Sequence, residues 1–395
     1  MARSRNAVRP RLGRDAERLI ALSLSLDSSG SRVEDRFWER ELETLLAKQL
    51  QSDQDGALDQ ALDYLLPKEP GGYEVLIEIA ETLSESMVLE RDGERYDALL
   101  IVAPVAAWTR YTIPVGPIRA DALDALRAQL HGHVLATDAS LALAPTLYSI
   151  DQMPRNFGTT RQWLKQLASQ ALGLPHGSLR GTNEEVANLL ADTRYVVGAV
   201  VVKEGNPMFR WQEGFGKTAT RASCLEAWTA QAEPTFASLL PGCGIELLLP
   251  DAYYVSNREA DRRVRPLSVR AAIGWLQGAL QLDASQIRAV IAGCGESQVE
   301  EYRIGFTARN RNEVVYGTVW PVYGREDDAA PDADPQDEIV DLLNTLGVTD
   351  VRRIGELLPL EFCEDCGAPF FPDPTGELVH AEMPHEADTA PAHFH

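Results

Sequence analysis

The stretch ALLIVAPV, Ala98–Val105, is eight residues long and carries no charge and no side-chain hydrogen-bonding group. A continuous apolar run of this length reads as a strand buried on both faces, which needs helices above and below it. That places the chain in the α/β class. Next to it, Trp108–Val115 alternates like a second strand, Ala120–Leu130 has the spacing of an amphipathic helix, Leu141–Ile150 reads as a strand and Thr159–Leu172 as a helix. A turn-rich linker, 173–181, leads to a short helix expected over 183–190.

The same order then recurs. Val196–Val202 and Met208–Phe215 read as strands, Ala219–Phe236 as a helix, Ile245–Leu249 as a strand and Ser268–Leu280 as a helix. Pro104 and Trp108 align with Pro207 and Trp211, Pro145 and Tyr148 with Pro250 and Tyr253, and Trp163-Leu164 with Trp275-Leu276. The expectation is an internal duplication: two tandem related α/β units with mixed sheets, 95–181 and 182–281. The identities are few, so coincidence is the competing reading.

Around these units the patterning differs. Residues 1–94 hold a basic arm followed by helical spacing at Asp15–Leu26, Ser31–Leu50, Ala57–Leu66 and Tyr73–Ser86. Residues 282–325 are strand-rich, with Ile287–Ile291, Glu301–Thr307 and Val314–Trp320 as strands and Asn310–Asn312 as a hairpin turn, a partial third unit. Residues 326–395 carry an acidic linker (Asp327–Pro335), a helix (Asp337–Leu346) stopped by Gly347, a strand at Val351–Ile354 and a Cys/His cluster.

That cluster is the clearest chemical signal. Cys363, Cys366, His380 and His385 read C-x2-C-x13-H-x4-H, within a residue of the spacing of a small tetrahedral zinc site. Two cysteines separated by two residues reach one ion from a single turn, and Gly367 suits that turn because it takes positive φ freely. Prolines between the halves exclude a long helix, so a small zinc-ribbon-like module held by a structural zinc ion is expected. His393 and His395 compete with His385 for the fourth place. A redox CxxC and unrelated thiols are the other readings. His380-Ala381-Glu382 beside a CxxC is also compared with zinc deaminases, but the elements come in the reverse order and Pro384 would stop the helix they need.

Other candidates have simpler structural readings. Gly214–Thr218 lies between a strand and a helix, where phosphate loops lie, and makes Lys217 and Thr218 nucleotide candidates. Trp211 stands where a P-loop needs glycine, which favours an ordinary turn with Thr218 as helix cap. Tyr148, Asp251 and Tyr253 fall near strand ends, where open sheets bind ligands, with Arg155 and Arg258 following; paired core rings and surface arginines are the plainer account. His131 and His133 suit a helix C-terminus, and His176 falls in the linker. No G-x-S-x-G motif occurs, and Cys224, Cys243 and Cys294 have no histidine near in sequence.

Composition narrows the partners. The net charge is −22, and from Gly324 onward 18 acidic residues face three arginines. Such a surface repels phosphate backbones and disfavours nucleic acid as a general partner, except through the arm, which has six arginines in its first 18 residues and otherwise reads as a solvated start. Five cysteines suit no disulfide framework, no apolar run is long enough to cross a membrane, and the first residues lack a secretory apolar region. A cytoplasmic location is expected.

Two stretches, RLIALSLSLDSSGSRVEDRFWERELETLL (Arg18–Leu46) and CEDCGAPFFPDPTGELVHAEMP (Cys363–Pro384), resemble an uncharacterised bacterial family known as a domain of unknown function. The resemblance covers most of the chain and implies a bacterial, cytosolic protein. It supplies no activity, cofactor or catalytic residue. No catalytic constellation stands out, and the expected function is non-catalytic: a zinc-binding protein acting through contacts with a protein partner. The alternative is an enzyme or small-molecule sensor with a pocket between the two units.

Overall fold

The computed structural model describes residues 12–51, 56–179, 186, 189–216, 219–296, 298–322 and 334–382. The leucine spacing at the start forms α1 (Arg14–Asp27), α2 (Arg32–Gln51), α3 (Gly56–Leu65) and α4 (Pro70–Glu85). Their apolar faces, including Leu19, Leu42, Leu46, Leu58, Leu65 and Leu76, close one core of their own. Pro70 starts α4, where a missing N–H costs nothing.

A hairpin follows that the spacing did not predict. β1 (Ser86–Arg91) turns through Asp92-Gly93, both at positive φ, into β2 (Glu94–Trp108). An Asp-Gly pair suits such a two-residue turn because its backbone matches the strand twist. β2 contains the Ala98–Val105 run and extends beyond it at both ends.

The strand expected over Trp108–Val115 does not form. Only β3 (Gly116–Pro117) pairs there. The buried Arg194 explains this: its guanidinium donates to the carbonyls of Ile113 and Pro114, so the segment is held across a side chain rather than along a sheet edge.

Next come α5 (Ala120–His133), β4 (Ser140–Tyr148), α6 (Phe157–Ala171) and β5 (Ala191–Lys203). The strand expected over Met208–Phe215 is instead a 3-10 turn at Arg210–Gly216. Gln212 accepts the backbone N–H groups of Met208 and Phe209, and Gly205 and Gly214 sit at positive φ, which together curl the chain.

α7 (Arg221–Leu239), β6 (Gly244–Leu247), β7 (Asp251–Ala252) and α8 (Tyr253–Leu280) complete this part. α8 begins well before the predicted Ser268 and continues through Pro266, at the cost of one helical hydrogen bond. The short helix expected over 183–190 falls largely outside the described residues.

These strands make one seven-stranded sheet around β2 and β5, paired antiparallel from Tyr96↔Lys203 to Trp108↔Ala191. Pairing beyond them is reciprocal. β4 adds to the outer edge of β5 and β6 and β7 to that of β2, with Leu147↔Val196 matched by Ala252↔Ile101. Each of these outer pairings is interrupted at a proline, Pro145 and Pro250. Alternate β2 side chains enter opposite cores: Ile101, Ala103 and Val105 meet α5 and α7, whereas Leu100 and Val102 meet α6 and the start of α8.

Two of the three identity matches read in the sequence are not structural equivalents. Pro104 and Trp108 lie in β2, but Pro207 and Trp211 lie in the loop and 3-10 turn after β5. Trp163 packs on the large sheet, Trp275 against a second core.

That second core belongs to β8 (Ile287–Cys294), β9 (Glu301–Ala308), β10 (Tyr316–Pro321), α9 (Pro335–Thr345) and β11 (Asp350–Leu358). The sheet order is β10-β9-β8-β11, and only β8 and β11 run parallel. The second half of α8 (Val269, Ile273, Leu276) and α9 (Ile339, Leu343) cover one face. α8 is therefore a strut shared by both sheets. A last hairpin, β12 (Phe371–Pro372) with β13 (Leu378–Val379), contacts the other face through β9. Among the described residues, no helix is long and apolar enough to cross a membrane.

Candidate metal centre

The segment after β11 has almost no core of its own, and backbone hydrogen bonds shape it. Phe370 N–H reaches Glu361 O, Cys363 N–H reaches Ala368 O at 2.8 Å, and Gly367 N–H reaches Cys363 O at 2.9 Å. Gly367 takes φ +72, the conformation expected of it. This tight turn aims the N–H groups of Cys366 and, less strongly, Asp365 at the Cys363 sulfur, which holds that thiol below its ordinary pKa. A thiolate is the form that binds a metal ion.

The other arm returns through a turn that Asp373 organises. Its carboxylate accepts from the backbone of Thr375 and Glu377, and Gly376 at φ +94 closes the bend. β13 then delivers His380 to the knuckle, with Cys366 Sγ 3.3 Å from His380 Nε2. The ligand atoms of Cys363, Cys366 and His380 all lie within 4.8 Å of one another.

Ligands at about 2.0–2.3 Å from a tetrahedral zinc ion stand about 3.5 Å apart, so the trio fits such an ion. Two sulfurs and one imidazole suit a soft or borderline transition-metal ion rather than calcium or magnesium. His385, His393 and His395 lie outside the described residues.

The module is fastened to β9 by a residue that the sequence reading missed. Arg303 is 0% exposed. Its guanidinium donates to Glu361 O at 2.6 Å and Phe370 O at 2.9 Å, pairs with Glu301 at 2.6 Å, and lies 4.9 Å from the Phe362 ring centre. It thus ties both ends of the cysteine turn. Alternation hid it, because a charged residue between Tyr302 and Ile304 reads as the solvent side of a strand. Beside it, Gly317 and Gly305 leave room for Phe371 and the Pro372 carbonyl, which a Cβ at either position would strike.

The remaining candidates are occupied elsewhere. Lys217 and Thr218 lie outside the described residues, and the cap of α7 is Thr220, reciprocated by Ser223. Tyr148 packs on Trp163, Tyr253 donates to Pro154 O, Asp251 pairs with Arg221, Arg155 with Asp151, and Arg258 with Glu81. His131 and His133 end α5, and burial, then Arg127, lowers the His131 pKa. His176 contacts only the carbonyl of the next residue among its described hydrogen bonds. Burial raises the thiols of Cys224 and Cys243 and pushes Cys294 to about 11, the opposite of an activated nucleophile.

No curated protein and no solved structure matches the chain. A family defined only as a protein of unknown function matches residues 4–394, and the chain belongs to that family, DUF2863.

Proposed function

We propose that Cys363, Cys366 and His380, with a fourth ligand, hold a structural zinc ion, and that the protein acts without catalysis through contacts made by its C-terminal module. One observation carries this reading: the two thiols and the imidazole converge on a hairpin that has little apolar core and is docked by a buried arginine. A metal ion would supply the folding energy such a segment lacks. The module also displays groups suited to a partner, since Phe362 is 52% exposed beside the exposed Glu361, Glu364 and Asp365. The reciprocal pairing of β2 and β5 with β7 and β4 supports reading residues 95–181 and 182–281 as two copies of one unit. A cytoplasmic location agrees with two free thiols kept as ligands.

The test pairs the wild type with a Cys363→Ser/Cys366→Ser variant in cross-linking and capture experiments. A specific protein retained by the wild type and lost by the variant, at unchanged stability of the large sheet, supports the reading. Hydrolytic or redox turnover abolished by the same variant would replace it with a catalytic site.

A further inference from the structure

A cavity of about 480 Å³ lies where the end of β2 meets β6 and the middle of α8. Its walls include Trp108, Arg110, Glu246, Arg270, Gly274 and Trp275. We infer that this cavity is a binding site for a small molecule that combines a flat ring with an anionic group, a phosphate or a carboxylate.

The size is in the range of ligand pockets, about 300–1,000 Å³. Two half-buried indoles form part of the lining, and indole faces suit planar rings. Trp108 lies flat over Gly244, its partner across the β2–β6 pair, where any side chain would collide with the ring. Trp275 is fixed by its contact with Tyr316, at 5.1 Å between ring centres.

The charges point to an anion. Arg110 and Arg270 have no carboxylate partner among the described residues, although the chain carries a net charge of −22. The lining carboxylate, Glu246, already accepts from Nε and Nη2 of Arg263, at 2.5 and 2.6 Å. Two unpaired guanidinium groups at one cavity mouth match the bidentate geometry of phosphate or carboxylate.

The helix wall is shaped to keep the space open. A Cβ at Gly274 would meet nothing within 4 Å, and one at Gly278 would strike the Arg110 guanidinium. Glycine is an unfavourable residue inside a helix, and α8 carries two of them here, Gly274 in the cavity wall and Gly278 against Arg110.

The experiment follows the tryptophan fluorescence and binding heat of the full-length protein with AMP and with anthranilate, a ring phosphate and a ring carboxylate. Adenosine and inorganic phosphate supply the ring and the charge alone. Saturable binding of AMP or anthranilate, at least about tenfold tighter than either control, is expected. It should weaken at least about tenfold in R110Q/R270Q, whose changes are on exposed residues, and in G274L, which fills the cavity. AMP alone would identify the anion as phosphate, anthranilate alone as carboxylate. Overturning outcomes are no saturable binding of either compound, equal binding of the controls, or binding unchanged in R110Q/R270Q. G274A, with an ordinary helix residue and little lost space, should bind as the wild type does, and G274L should unfold at the temperature of G274A, which separates a filled cavity from misfolding.

Discussion

Replacing Arg303 by methionine keeps most of the apolar stem and removes the charge that fastens the cysteine turn to β9. Three polar interactions go with it, the 2.6 Å ion pair to Glu301 and the donations to Glu361 O and Phe370 O, as does the contact with the Phe362 ring. Breaking a buried pair by removing one partner costs about 3–5 kcal/mol. One guanidinium nitrogen, Nη2, has no hydrogen-bond partner, so the arginine is incompletely compensated and the lower end applies. A loss of about 3 kcal/mol raises the open population of the turn by about a hundredfold.

The effect should be local, since the hydrogen bonds and ion pair of Arg303 all join β9 to the cysteine turn or to β9 itself. Hydrogen exchange over residues 361–372 reads it directly, because the amides of Cys363, Gly367 and Phe370 are all bonded inside the turn. R303M should reduce their protection by about a hundredfold, while β2 and β5 amides keep theirs. Unchanged protection in the turn would show that Arg303 does not hold the module, and the docking argument would fail.

Glu85 gives a pH-dependent prediction. Burial, partly offset by the Tyr254 N–H bond, raises its carboxyl from an ordinary 4.5 to about 7. The folded protein therefore keeps a proton that the unfolded chain releases, so stability falls as pH rises from about 4.5 to 7, by up to about 3 kcal/mol. In denaturant titrations E85Q should match the wild type near pH 4.5 and exceed it at pH 8; equal stability at both would contradict the shift. G317A should push the Phe371 ring off β10 and lower both module protection and metal retention, by about 1–3 kcal/mol in stability, as overpacking does. At Gly198 a Cβ would come within 2.7 Å of Leu143 and 2.8 Å of the Ala142 carbonyl, so G198V should cost about 2–3 kcal/mol in global unfolding.

Much of this was legible because burial leaves a pattern. The apolar runs in β2 and β5 read as doubly covered strands, and the cysteine spacing points to Cys363, Cys366 and His380, whose ligand atoms the fold brings together. The errors have a physical pattern as well. Met208–Phe215 alternates like a strand, but Gln212 caps its own local backbone and curls it into a 3-10 turn. Trp108–Val115 was claimed by Arg194, about 80 residues away in sequence, an interaction no local periodicity contains. Asp92-Gly93 is the local signal of the missed hairpin, a turn pair that stands against the helical spacing of α4. Arg303 and the Trp108–Trp275 cavity arise only when segments far apart in sequence meet, and no single stretch signals either.

The most direct test of the account is the metal content of untagged protein purified without added metal, measured by elemental mass spectrometry alongside thermal unfolding. The account predicts about one zinc per chain, absent from the C363S/C366S variant, and a module that loses its protection when the metal is chelated. Metal-free protein with a fully protected cysteine turn would contradict it.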